Sequence, residues 1–299
     1  MRVILFGSYT PGVSVLECLL DAEVDVVAVG THWSEPEDDA WVSLYEQAVQ
    51  RGLNVMRFDR HTRHEIGSFV RESRADLGLT IGFRYLLDEE VIGIPPGGWL
   101  NFHSSLLPQY RGRAPLNWAI INGEKELGVS LHRIDEGTDT GDIVFQERFT
   151  LTESEDVGDA LDKLYPLYQS LALKAVDGYR AGDLPQTPQD HPMATVFPRR
   201  TPEDGRIDWN WPATQAVNFV RGLTHPYPGA YTYLNGKRLQ IWKAKVGDTT
   251  SPAGKPGSVL TDGGINCNPG ILVATDAQWA ESDGSQADIA ASAPCVLGD

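Results

Sequence analysis

Short apolar runs separated by segments of helical length set the terms for how this chain can fold. RVILFG at residues 2–7, DVVAVGT at 25–31, a further run at 53–58 and LGLTIGF at 77–83 each read as a strand. The first and last are apolar throughout rather than alternating, as expected when both faces of a strand are covered. Helices are predicted from the turn Ser8–Gly12 to about Leu20, over roughly 40–51 after the polar segment HWSEPEDD, and over 62–74. This βαβ alternation predicts an α/β, Rossmann-like fold, with a mostly parallel sheet and helices on both faces. Ligands in such folds bind outside the carboxyl ends of the strands. Gly7 and Gly12 follow the first strand without the G-x-G-x-x-G spacing, so they read as a tight turn and not as a dinucleotide site.

The stretch from Asn101 to Asp142, NFHSSLLPQYRGRAPLNWAIINGEKELGVSLHRIDEGTDTGD, carries the chemistry. A strand ending near Leu100 lets Asn101 and His103, two residues apart, face one cleft. An amide NH2 can donate to an oxygen that becomes negative, and an imidazole can pass a proton near neutral pH. Asp139 can orient that imidazole and, as an opposite charge, raise its pKa. Together they suit acyl transfer without a protein nucleophile. Ser104 and Ser105 lack the G-x-S-x-G setting of a nucleophilic serine. His132 alternates on the predicted strand 128–134 and reads as structural. Arg111 and Arg113, on a loop bracketed by Pro108 and Pro115, suit bidentate contact with phosphate or carboxylate. Gly137 and Gly141 let backbone approach a flat ligand closely. The aspartates around them lack EF-hand spacing, so no metal is expected.

This stretch resembles the core of the 10-formyltetrahydrofolate-dependent formyltransferases, a superfamily with glycinamide ribonucleotide, methionyl-tRNA and sugar-nucleotide members. RGRAPLNW is most similar to the formyltransferase domain acting on UDP-4-amino-4-deoxy-L-arabinose. FPRRTPEDGRIDW and HPYPGAYTY extend the resemblance to about Gly270. It implies that Asn101 stabilises the transition state, His103 transfers the proton and Asp139 raises the His103 pKa. It implies folate contacts at Tyr85, Leu86 and Leu87 and along Asp135, Glu136, Gly137, Thr138 and Asp139, with Arg113 as a further binding arginine; Arg111 is expected beside Arg113 on the substrate from its place in the same loop. The co-substrate would be 10-formyltetrahydrofolate and the acceptor a UDP- or dTDP-linked amino sugar of cell-surface glycan synthesis. The homologue continues into a dehydrogenase/decarboxylase domain where this sequence stops, so formylation alone is expected.

The alternatives are methionyl-tRNA formylation and a non-catalytic folate- or nucleotide-binding module. Composition bears on the first. With 41 acidic against 25 basic residues the net charge is −16, which repels phosphate backbones and argues against a nucleic-acid partner. The second has no use for Asn101, His103 and Asp139 together. Lysines are few beside arginines, which fits a salt-adapted or simply an acidic surface. No run reaches the length of a membrane span and no signal peptide is evident, so a cytoplasmic protein is expected, a homodimer being possible. Cys18, Cys267 and Cys295 are scattered and give neither metal spacing nor a disulfide framework.

A strand over 143–151 and a helix over 156–181 complete the expected catalytic domain, 1–185. PQTPQDHPMATVFPRRTPEDG reads as an extended linker, 186–205, where Arg199 and Arg200 either face the cleft or meet solvent. Residues 206–280 are expected to form a small OB-like barrel from a helix at 213–223 and strands at 229–235, 238–246, 257–260 and 270–275. Asn235-Gly236 is a hairpin signal. Trp209 and Trp211 suit a core or hinge, or stacking on a base. The segment 281–299 is expected to fray.

Overall fold

The computed structural model describes residues 1–32, 42–234, 236–247, 254–280, 286–293 and 295–297. It divides into two compact units. One holds Met1–Pro115, Gly128–Phe149 and Asp162–Phe197; the other holds Leu116–Leu127, Thr150–Leu161 and Pro198–Asp299. The boundary expected at a single linker is therefore redrawn. Segments 116–127 and 150–161 group with the C-terminal residues, and most of the Pro-rich stretch groups with the first unit.

The chain runs β1 (Arg2–Gly7), α1 (Tyr9–Asp21), β2 (Asp25–His32), α2 (Leu44–Gln50), β3 (Val55–Phe58), α3 (Ile66–Ser73) and β4 (Leu77–Ile81). It continues through α4 (Glu89–Ile92), β5 (Trp99–His103), β6 (Arg111–Gly112), α5 (Pro115–Ile121), β7 (Glu126–Arg133), β8 (Ile143–Thr150) and α6 (Val157–Ala181). Local signals set several of these ends. Ser43 accepts from the Glu46 N–H to cap α2, and Asp88 accepts from the Val91 N–H to cap α4. The segment after His32 lies outside the described residues.

The seven-stranded sheet has the order β3-β2-β1-β4-β5-β7-β8. β1 to β5 pair in parallel, and β7 runs antiparallel to β5. β4 is buried along its whole length and β1 from Val3 onward, so both sheet faces are covered. The strand order turns between β1 and β4, the switch point beside which such sheets bind ligands. On one face Phe6 meets the rings of Phe58, Phe83 and Trp99 at centroid distances of 5.7, 4.8 and 4.9 Å. This cluster also takes in Tyr85, Leu87 and Ile134. The predicted Pro-rich linker carries structure of its own. β9 (Val196–Phe197) pairs with β6, and Phe197 stacks on Tyr110 at 4.9 Å.

In the second unit α7 (Ala213–Leu223) covers an antiparallel sheet of β10 (Ala230–Leu234), β11 (Lys237–Val246), β13 (Ile271–Trp279) and β12 (Ile265–Asn266), in that spatial order. The result is an open half-barrel. Leu234 pairs with Lys237, which leaves the two-residue hairpin loop the sequence signals. Gly236 supplies its positive φ of 74°, while Asn235 lies outside the described residues. The strand expected at 257–260 is reduced to two single bridges, from Ser258 to Val296 and from Val259 to Ile265. Ile289 and Leu297 are buried in this unit's core, so the described parts of the tail pack rather than fray. Trp209 is buried in the same core and donates to Thr232 Oγ1, and Trp211 lies edge-on to Phe219. Trp209, so buried, offers no face to a base. Cys267 is buried there too, and burial pushes its thiol up to about 11. No helix among the described residues is long and apolar enough to cross a membrane.

Candidate active site

The strand carrying Asn101 and His103 does not stop at Leu100. It continues as β5 to His103 because β4 on one side and β7 on the other hold its backbone. Register then assembles the site. Thr80 of β4 lies beside Asn101, and Asn101 lies directly opposite His132 of β7. Residues paired across adjacent strands point to the same sheet face. The next row on that face pairs His103 with Ser130. The side chains of Thr80, Asn101, His103 and His132 thus meet in one corner. Thr80, His103 and His132 are 3%, 5% and 2% exposed, and Asn101 opens partly to solvent.

Each side chain has a fixed partner. Thr80 Oγ1 donates to Asn101 Oδ1 at 2.8 Å, and Asn101 Nδ2 lies 3.0 Å from His132 Nε2. His132 Nδ1 donates to the Arg133 carbonyl at 2.8 Å. His103 Nε2 donates to the Tyr110 carbonyl at 2.7 Å, which Tyr110 presents from a left-handed conformation with φ of 58°. Asp139 closes the corner. Its Oδ1 lies 3.6 Å from both His103 Nδ1 and His132 Nε2, and its Oδ2 accepts from the Gly112 N–H at 2.8 Å.

Electrostatics follow from this burial. Desolvation lowers the His103 pKa below its ordinary value, and the Asp139 charge only partly restores it. Asp139 thus acts on His103 in the expected upward direction, but burial outweighs it and the net direction is downward. For Asp139 burial works upward, yet the two imidazoles and the Gly112 N–H outweigh it and hold the carboxyl at about 2. Asp139 is therefore ionised beside an imidazole that is neutral at neutral pH.

The loop that delivers Asp139 is clamped from a place the sequence does not announce. Gln189, 6% exposed, donates to the carbonyls of Asp139 and Gly141 at 3.0 and 2.7 Å. A Cβ at Gly141 would collide with the Arg133 backbone, so only glycine lets the loop lie this close to β7. Arg111 gives its guanidinium to Gln189 Oε1, through Nε and Nη2 at 3.2 and 2.6 Å, and lies 2.9 Å from His191 Nδ1. It is 6% exposed and acts as a strut for Gln189. The expectation that Arg111 meets substrate gives way, because a guanidinium already occupied and buried has little left to offer a phosphate. Arg113 is exposed, donates to the Arg84 carbonyl at 3.0 Å, and stays available.

The two loops expected to hold folate flank one cluster. Tyr85 and Leu87 pack beside Ile134, the residue before Asp135, while Leu86 is 76% exposed. Asp135 accepts from the Gly137 N–H and the Thr140 hydroxyl at 3.0 and 2.6 Å, which closes the turn carrying Glu136, Gly137 and Thr138. Among the described residues no group of His, Cys, Asp or Glu is arranged to hold a metal ion. Arg200 falls in the second unit, over the Trp118 ring and bonded to the Asp204 carbonyl; Arg199 is exposed. The sequence reading missed Thr80, His132 and Gln189. Alternation on strand 128–134 puts His132 on the Ser130 face, but only register puts it opposite Asn101.

The Formyl transferase family matches residues 1–176, and the Formyl transferase C-terminal domain matches residues 199–291. The chain belongs to the formyl transferase family and is a formyltransferase. Among solved structures it is similar to WlaRD, a sugar 3N-formyl transferase crystallised with dTDP and 5-N-formyl-THF. Identity is 19% over 94% of this chain and 98% of that one, with a TM-score of 0.71. It is also similar to an N-formyltransferase from Helicobacter canadensis in complex with folinic acid and dTDP-3-aminofucose, with 19% identity over 91% and 97% of the chains and a TM-score of 0.65. A methionyl-tRNA formyltransferase from Clostridium thermocellum shares 18% over 94% and 100%, with a TM-score of 0.58.

Proposed function

We propose that this protein transfers the formyl group of 10-formyltetrahydrofolate to the amine of a nucleotide-linked amino sugar. The observation that carries the reading is the buried corner where Asn101, His103 and Asp139 converge beside the loops 85–87 and 135–139. The acceptor amine attacks the formyl carbon, forming the new C–N bond while the carbonyl electrons move to oxygen. The Asn101 N–H not engaged by His132 donates to that oxyanion. His103, neutral and with its Nε2–H tied to Tyr110, accepts the amine proton at Nδ1, where Asp139 stabilises the imidazolium. The intermediate then collapses, the carbonyl re-forms as the bond to the folate nitrogen breaks, and the His103 imidazolium passes its proton to that nitrogen. Holding both substrates in one cleft contributes up to roughly 7–11 kcal/mol in ideal cases.

Tyr85, Leu87 and the exposed Leu86 are assigned to the flat folate ring, with Asp135 to Asp139 along its other edge. Arg113 is assigned to the phosphates of the acceptor. The dTDP present in the WlaRD structure and the dTDP-3-aminofucose in the Helicobacter canadensis complex support an acceptor of this class. UDP-4-amino-4-deoxy-L-arabinose and dTDP-linked 3-amino sugars are the first candidates, in a cytoplasmic step of cell-surface glycan synthesis. The net charge of −16 supports this reading over methionyl-tRNA formylation.

The test is an assay of the purified protein with 10-formyltetrahydrofolate against a panel of UDP- and dTDP-amino sugars. A formylated sugar nucleotide is the expected product, with UMP or TMP competing and EDTA without effect. Formylation of methionyl-tRNA, together with micromolar and salt-sensitive tRNA binding, would transfer the reading to the tRNA reaction.

A further inference from the structure

We infer that His132 is a positioning residue for the transfer, acting with Thr80 to aim the Asn101 amide. This rests on the reading of Asn101 as the donor to the oxyanion. Thr80, Asn101 and His132 form one row across β4, β5 and β7, and hydrogen bonds of 2.8 and 3.0 Å join them side chain to side chain. The direction of each bond can be deduced. A backbone carbonyl only accepts, so the 2.8 Å bond from His132 Nδ1 to the Arg133 carbonyl requires a proton on Nδ1. A neutral ring then carries only a lone pair on Nε2, and that nitrogen accepts from Asn101 Nδ2. Oδ1 is thereby left facing Thr80, whose hydroxyl donates to it.

An amide is nearly symmetric in shape, so something must decide which end bears the N–H groups. Here two partners of opposite hydrogen-bonding character decide it, one on each side. The second N–H of Asn101 is left pointing out of the row. The flipped amide would put Oδ1 toward His132 and need Nε2 protonated as well, an imidazolium at a residue 2% exposed. The groups facing His132 are Asn101, Asp139 and His103, with Arg133 next in the chain. Asp139 is the one that would favour the imidazolium, from 3.6 Å.

Two measurements test the assignment. The first needs no substrate: the 15N spectrum of histidine-labelled wild-type protein at neutral pH. A neutral ring protonated on Nδ1, assigned to His132 by its loss in His132→Gln, is the expected result. A ring protonated on Nε2, or on both nitrogens, overturns the assignment. The second is kinetic. His132→Leu removes the acceptor and is expected to lower kcat about a hundredfold with both KM values nearly unchanged. His132→Gln keeps an acceptor and should restore most of the loss, and Thr80→Val should also reduce kcat. In an Asn101→Ala background His132→Leu should cost far less than in the wild type, the remainder passing through Asp139, 3.6 Å from His132 Nε2. Full kcat in a folded His132→Leu protein, or an undiminished loss in the Asn101→Ala background, would rule the inference out. Should the leucine variant fail to fold, Thr80→Val and the spectrum still decide. Should no amino sugar be formylated, the proposed function fails while the spectrum still answers for His132.

Discussion

The corner at β4, β5 and β7 and a cleft of the second unit are built from the same kinds of residues, to different effect. The cleft, of about 630 Å³, is lined by Lys125, Glu153, Asp156, Arg221, Trp242 and Lys245, among others. By composition it resembles a binding site at least as much as the corner does. Its charges nevertheless spend themselves in or near solvent. Lys125 and Glu153 pair at 2.9 Å with side chains 72% and 83% exposed, and Arg221 gives its donors to the Thr152 and Glu155 carbonyls and to Asn218. Exposed pairs of this sort contribute little, because water screens them and two long side chains lose freedom. In the corner, burial of Thr80, His103 and His132 leaves water far less room to compete. One carboxylate, two imidazoles and an amide hold each other at fixed angles, and their proton affinities move with burial. Polarity makes neither of them a site. Burial with directed partners does.

The sharpest way to break that contrast is to remove a corner group. Asn101→Ala and His103→Ala are each expected to lower turnover by about 10²–10⁴ in a folded protein. Steady-state assays with circular dichroism as the folding check decide it, and near-normal turnover in either variant would remove that residue from the mechanism.

Asp139→Asn keeps the shape but removes the charge. The His103 pKa, already depressed by burial, should fall further, because the one nearby charge that raises it is gone. The acid limb of the kcat/KM profile should therefore move to lower pH and activity should drop. An unmoved profile would show that Asp139 does not act through His103.

A smaller effect concerns stability. A carboxyl at about 2 when folded and in the ordinary range when unfolded favours the folded state once ionised. Its contribution, on the order of 2 kcal/mol, should be complete above the ordinary carboxyl range and lost as pH falls through about 2. Urea titrations of wild type and Asp139→Asn across acid pH should converge at the low end. Curves that stay parallel would refute the linkage.

The smallest effect belongs to the cleft. Lys125→Ala is expected to leave kcat unchanged and thermal stability without measurable loss, since its partner meets water as readily as it meets the lysine. A marked fall in either would mean the cleft is more than a solvated surface.

How much of this was legible beforehand depends on the range of the interactions. Apolar runs and turn residues act over a few positions, so the strands, the helices and the Asn235-Gly236 hairpin could be read from the sequence. The spacing N-x-H followed by an aspartate loop likewise named three of the corner's residues. His132 could not be recognised in this way, because its place opposite Asn101 depends on the register between β5 and β7. Gln189 and Arg111 were misread for a related reason. A glutamine in a Pro-rich stretch reads as linker, and an arginine in a loop reads as an anion contact, until the fold buries each against the other.

The sequence by itself determined the βαβ order, the family and the residues able to do the chemistry, because periodicity and motif spacing are properties of the chain. Only the tertiary structure decided that His132 stands opposite Asn101, that Gln189 holds the Asp139 loop and that Arg111 is buried while Arg113 is exposed. Those are fixed by partners far away along the chain, whose approach and desolvation no local pattern records.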